Sequence, residues 1–486
     1  MMTACAVDDP DVSGSTTELA HRAPVLIQPG AGQILLAVSD DNYAVYQEGQ
    51  TVFATKLAPG AERTLVASVP TTNLAQVLQV GKVVFVWSDP QRNLPGFGVS
   101  PLIVWTAQHG AQLASTQSAV GLVATAASSD NRQIVFTTNV TDDGLRGDLV
   151  HAHTRDALHP DTLLADIPLG FPSTPCRPLA NFASDHGREV PVAAYCAGSD
   201  TTATLSKWDR GTKIDLVANI ATPMPFVLES NADASTFLVD LANASVATVT
   251  IGGRVTIVDP AASSRQGFVG RHDTVGYATA GQLRVARRGQ APEAISAVTA
   301  IYRNTYNRAG YSAPRTVSAD SLVLFGSIAD PATGLTDMNL LDLRTGDTTP
   351  LETAADATVF SEIFTTDGSH GLFFRVSDPT SFVATLVAGD RDGTHLIGDG
   401  VWDVLAAADS DVTFTTDPIV DFSTTQTFFQ STGDLFVADA ACPSAEPRLI
   451  ATQANLFYLA SHDRRKLVFP SASEPGGPGL YLAGTR

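Results

Sequence analysis

The sequence predicts an all-β chain of recurring four-stranded antiparallel units, and three observations carry that prediction. A phrase of Ser or Ala, then Asp, then one to three polar or Gly residues, then a short apolar run recurs along almost all of the 486 residues. Its copies are spaced by about 47 residues once one double gap is halved, a period in the range of propeller blades. Between copies, turn residues separate short extended runs, and no long amphipathic helical stretch intervenes. The fold class that follows is a β-propeller of four-stranded antiparallel blades, with about ten repeats.

Each blade is legible in order. Its phrase is the tip of a hairpin, because an Asp side chain accepts from a backbone amide two residues on and closes a tight turn locally. The tip aspartates are Asp40, Asp130, Asp185, Asp233, Asp273, Asp320, Asp367, Asp409 and Asp463, and a degenerate copy near Val80 keeps the strand without the Asp. The run after the tip is apolar on both faces, as in Val83 to Trp87 and Leu372 to Phe374, which suits an interior strand. A third run, often opened by Gly, and a shorter fourth complete the unit, as in GDLVHAHTR and then TLLADI. A unit this small buries too little apolar surface to stand alone, so the blades must pack on one another.

The chain's last repeat stops one strand short, and the missing strand is available at Pro24 to Gln28. The expectation is a single ring closed by that N-terminal segment, with two smaller tandem propellers as the alternative. Residues 1–21 read as a polar tether and 22–486 as the propeller.

The formal charge is −20, with 50 acidic against 30 basic residues. Such a surface repels a nucleic-acid backbone, so nucleic acid is not expected as a partner. No apolar run is long enough to span a bilayer. The start, Met2-Thr3-Ala4-Cys5 followed by a polar stretch, resembles the end of a bacterial lipoprotein signal, which makes Cys5 a candidate lipidated residue; an ordinary tail is the other reading. Cys176 and Cys196 lie at equal distance from His186 at a predicted hairpin tip, so they face each other across adjacent strands. That symmetry permits a disulfide; two buried thiols are the alternative. Cys442 has no evident partner in the sequence. A disulfide and a lipid anchor both point to an exported protein of the periplasm or outer membrane, with a cytoplasmic location the expectation if no signal lies upstream.

Catalytic motifs are sparse. The nearest approach to a nucleophile elbow, Gly310-Tyr311-Ser312-Ala313-Pro314, lacks the last Gly, and there is no P-loop, Cys-x-x-Cys or His-Glu-x-x-His. His151 and His153 share one face of a predicted strand near Asp148, Asp156 and His159, and Gly389 to Gly393 resembles part of a calcium loop. Half-exposed strand polarity and a hairpin turn account for both, so neither metal nor cofactor is expected.

The tips Ser128 to Phe136 and Thr366-Asp367-Gly368, with the later turn at Asp390 to Gly393, resemble those of the TolB-type, WD-repeat-like propellers of bacterial envelopes over roughly residues 30 to 486. The resemblance implies an envelope protein that recognises other proteins or cell-wall components. The expectation is a non-enzymatic binding platform, with the membrane reached only through a lipid anchor. A propeller lyase or hydrolase acting at the central channel is the alternative. Charged residues are scarce in the predicted first strands, which favours the binder. The candidate recognition site is the inserted stretch AIYRNTYNRAGYSAP at Ala300 to Pro314, which carries Arg303, Tyr306 and Arg308 and no acid. Arg and Tyr are the residue types enriched at interface hot spots, which suits an acidic or anionic partner.

Overall fold

A computed structural model describes residues 23–69, 74–87, 100–118, 126–128, 130–141, 146–168, 176–179, 189–196, 202–209, 212–221, 227–271, 274–303, 316–329, 332, 335–356, 362–375, 383–420, 431–442 and 444–485. They are all-β apart from one turn of 3₁₀ helix at Thr154–Asp156.

Among the described residues the strands group into ten antiparallel units of propeller type, each ordered from an inner first strand to an outer fourth except blade 8, whose first position is held only by the bridge of Phe364 to Gly371. Blade 1 is Gln33–Ser39, Tyr43–Glu48, Thr51–Lys56 and Arg63–Ser68. Blades 2 to 6 begin at Gln76, Ala126, Cys176, Val227 and Gly267. Blade 7 runs from Ala300–Ile301 to Thr348–Asp356. Blade 8 contains Gly371–Arg375 and Ala384–Asp390. The long strand Gly393–Ala406 is the outer strand of blade 8 and then the inner strand of blade 9. Blade 10 consists of Leu459–Ala460, Lys466–Ser471, Gly479–Gly484 and the N-terminal strand Val25–Pro29, with Val25 opposite Leu482. The segment expected to complete the last blade does so.

Burial explains the strand chemistry. The second strands Val83–Trp87 and Gln133–Thr138 are buried at every position, whereas the outer strand Arg63–Ser68 is mostly exposed. The core lies between blades as a series of apolar clusters. One of them joins Leu459, Val468 and Leu480 of blade 10 to Leu35, Ala44 and Tyr46 of blade 1, so the two chain ends pack together.

The tips share one geometry. Asn42, Asn131, Ala234, Ser321, Gly368 and Arg464 occupy the same tip position, all at positive φ. Each donates its amide to the carbonyl three residues back, at 2.8–3.1 Å. The Asp before this residue accepts from the amide two residues on at Asp130, Asp233, Asp367 and Asp463. In the first copy the register is one residue off the sequence reading: Asp41, not Asp40, receives the Ser39 hydroxyl at 2.6 Å. Asp40 instead accepts from Gln79 of blade 2 at 3.0 Å. The degenerate copy needs no Asp because Gly81, at φ 61, forms a two-residue turn between Val80 and Val83.

Candidate functional site

The insertion in blade 7 has a specific place in the sheet. Ala300 and Ile301 pair with Gly326 and Phe325, the Tyr302 amide bonds to the Leu324 carbonyl, and the next pairing is Val317 with Val323. The residues that flank the insertion, Tyr302 and Val317, therefore occupy neighbouring register positions of one innermost strand. Both flanks are held. Buried Tyr302 shares a hydrogen bond of 2.7 Å with Thr336 Oγ1. Buried Thr316 donates its amide to Glu229 Oε1 at 2.9 Å and its hydroxyl to the other carboxylate oxygen. Glu229 is itself buried on the inner strand of blade 5. Arg303, at the exit, is exposed. Tyr306 and Arg308 lie outside the described residues.

The histidines of blade 3 do not converge on an ion. His151 is buried, and its Nε2 lies 2.8 Å from Gln133 Oε1. Burial, then the neighbouring His153, push its pKa down to about 4, so the ring is neutral. Asp148 is engaged by Asn139 and the Asp166 amide, and His159 pairs with Asp156.

A different set does converge. Among the described residues, His370, Asp390 and His395 bring one ligand atom each within 4.8 Å of the others. Gly371 is opposite Gly389, which sets His370 opposite Asp390; Ala388 is opposite His395. Since side chains alternate along a strand, all three share one face of blade 8. Asp390 Oδ1 accepts the Asp392 and Gly393 amides at 2.8 and 3.0 Å and so shapes the turn. Its Oδ2 faces His370 Nε2 at 3.4 Å and His395 Nε2 at 3.2 Å. Burial opposes charge on Asp390, but bonds from His370 when its Nε2 is protonated, from the Asp392 amide and from His395 hold the carboxyl well below the ordinary carboxylate range. Arg391 ties this turn to blade 7, reaching Asp342 at 2.5 Å and Asp320 at 2.7 Å. From sequence, Asp390 combines a calcium-loop resemblance with a hairpin turn, and the turn is the favoured reading. The histidines on either side of that hairpin were the available signal, but they need the strand register to be brought together.

Cys176 and Cys196 are cross-strand partners in register, as the symmetry about His186 predicts. Cys442, which has no evident partner in the sequence, is disulfide-bonded. Hairpin symmetry reveals only partners that are neighbours in register, which is why this bond was not legible. Cys5 lies outside the described residues.

No protein-family profile matches the chain, and no curated protein does. Solved structures similar to it include a eukaryotic initiation factor, at 12% identity and a TM-score of 0.46 over 88% of each chain. An oligogalacturonate lyase in complex with manganese is similar at 12% identity and a TM-score of 0.32, over 72% of this chain and 97% of that one. TolB from Acinetobacter baumannii is similar at 12% identity and a TM-score of 0.27, over 65% of this chain and 76% of that one. These likenesses concern the propeller-type architecture and nothing finer. Among the described residues no helix is long and apolar enough to cross a membrane.

Proposed function

We propose that this chain is a non-enzymatic recognition platform of the bacterial cell envelope, whose propeller presents residues 303–316 to an acidic protein partner. One observation carries the reading: the insertion leaves and re-enters a single innermost strand between buried anchors, Tyr302 on Thr336 and Thr316 on Glu229. A rigid scaffold that holds both ends of a segment lowers the ordering cost when that segment binds. Functional residues concentrate on such loops. In a chain of net charge −20, a stretch carrying Arg303 and Arg308 without an acid is a local cationic patch. Tyr306 beside them supplies stacking area at low conformational cost.

The test replaces Arg303, Tyr306 and Arg308 together by Ala. The urea midpoint is expected to stay unchanged, because the anchors at Tyr302 and Thr316 are left in place. Proteins captured from envelope extract are then compared between the two forms by quantitative mass spectrometry. Loss of one or more acidic partners from the variant is the expected result, and an identical set would remove the insertion from recognition.

A further inference from the structure

We propose that His370, Asp390 and His395 form a site for a divalent cation of the zinc class, with a fourth coordination position open to solvent. The expectation from sequence was no metal, so this is a revision as well as an addition, and it is independent of the recognition loop.

Hydrogen-bond bookkeeping supports it first. Ser369 Oγ lies 2.8 Å from both oxygens of Asp367 and 2.7 Å from His370 Nδ1. A hydroxyl has one proton, and an ionised carboxylate can only accept, so that proton goes to Asp367. Ser369 must then accept from His370 Nδ1–H. In neutral imidazole this leaves the Nε2 lone pair facing Asp390 Oδ2 at 3.4 Å, acceptor against acceptor, an opposition that only a proton on Nε2 or a bound cation relieves. His395 Nε2 converges on the same oxygen from 3.2 Å. A cation between the three satisfies every lone pair at once.

Geometry supports it second. Bonds of ~2.0–2.1 Å from zinc to nitrogen and oxygen place adjacent ligands of a tetrahedron ~3.3 Å apart, and the two observed separations are 3.4 and 3.2 Å. The Asp367–Ser369–His370 chain is the outer support that metal-binding imidazoles use to fix tautomer and ring orientation. The His370 side chain is 7% exposed, and those of Asp390 and His395 are 22% and 25% exposed, so the ion would be held from inside while facing solvent on one side. Two imidazoles and a carboxylate select a borderline ion rather than calcium, which takes six to eight oxygens.

Tag-free protein, dialysed against chelator and then against buffer, is titrated with zinc chloride by calorimetry, and retained metal is counted by atomic emission. One zinc per chain is expected, with a melting temperature that rises with zinc concentration. Asp390→Asn keeps Oδ1 for the turn amides and removes the ligating charge; His395→Gln removes a half-exposed ligand. Each is expected to weaken binding at least ~10-fold, the lower end of what even supporting residues contribute, while the zinc-free melting temperature holds. His153→Gln with His159→Gln is expected to change nothing. Failure of the wild-type protein to retain zinc, or undiminished binding in both Asp390→Asn and His395→Gln, overturns the site.

Discussion

Blades 7 to 10 are hydrogen-bonded into one continuous strand path, whereas among the described residues blades 1, 2, 3 and 6 are separate four-stranded sheets. In the C-terminal region the outer strand of one blade runs on into the next. Asp356 pairs with Phe374 across blades 7 and 8, Gly393–Ala406 serves two blades, and Ala454 pairs with Ser471 across blades 9 and 10. The contacts between blades differ in kind as well. In the C-terminal region they are guanidinium–carboxylate pairs, with Arg391 on Asp320 and Asp342, and Arg464 of blade 10 on buried Glu362 of blade 8. Around blade 1 they include neutral amides: Gln28 to Thr55, Gln47 to the Ala75 amide, and Gln79 to Asp40. Both kinds join blades, but a buried charge whose partner is removed costs several times what a lost neutral bond does. The C-terminal blades are therefore the more tightly coupled and the less tolerant of single truncations.

The sharpest way to break this comparison is Arg464→Ala. The Arg464 and Glu362 side chains are 12% and 4% exposed, and two bonds of 2.9 Å join them to both carboxylate oxygens. Arg464 also donates to the Ala406 carbonyl at 2.6 Å. The substitution leaves Glu362 buried with only the Ala406 amide, and a loss of about 3–5 kcal/mol is expected in urea unfolding. A loss below about 1 kcal/mol, the level of an exposed pair, would show that the pair is no stronger than a surface one.

The N-terminal region has its own weak point, and it is set by pH. Native His151 titrates at about 4 against an ordinary 6.5, because burial disfavours the charged ring. The unfolded chain therefore takes up this proton first as pH falls. Full stability is present above pH 6.5, declines between 6.5 and 4, and is flat below. Over that window the contribution lost is about 3 kcal/mol. His151→Gln should remove this component, so the difference in urea midpoint between wild type and variant at pH 7 should shift steadily down to pH 4. A difference independent of pH would place the native titration of His151 near its ordinary value.

The smallest effect belongs to Gln79→Ala in the neutral seam. It removes bonds to the Asp40 carboxylate at 3.0 Å and to the Gly81 carbonyl at 2.8 Å, so about 1.5–3 kcal/mol is expected, held to the lower end because His462 still faces Asp40. A cost matching that of Arg464→Ala would erase the distinction between the two regions.

What the sequence determined by itself is local. An Asp that bonds an amide two residues on is a device complete within five residues, so the tips at Asp130, Asp233, Asp367 and Asp463 were legible. The apolar second strands and the register of Cys176 with Cys196 follow from the same hairpins. The missing strand of the last repeat was legible too, because a three-strand remainder implies a donor, and Val25–Pro29 fills it. Where two neighbours were equally suited, local reading failed: Asp40 and Asp41 both fit the tip, and the choice was made by Gln79 in the next blade. The tertiary structure alone decided everything that joins strands distant in the chain. It put Glu229 beneath Thr316 and Glu362 beneath Arg464. It set the two flanks of the insertion, Ile301 and Val317, against one and the same neighbouring strand. It also brought His370, Asp390 and His395 to one face of blade 8. The physical reason is that side-chain direction along a strand reverses at every residue, so which side chains meet depends on pairing register. Register is an outcome of the packed sheet, and a shift of one residue would have sent each of these groups to the opposite face.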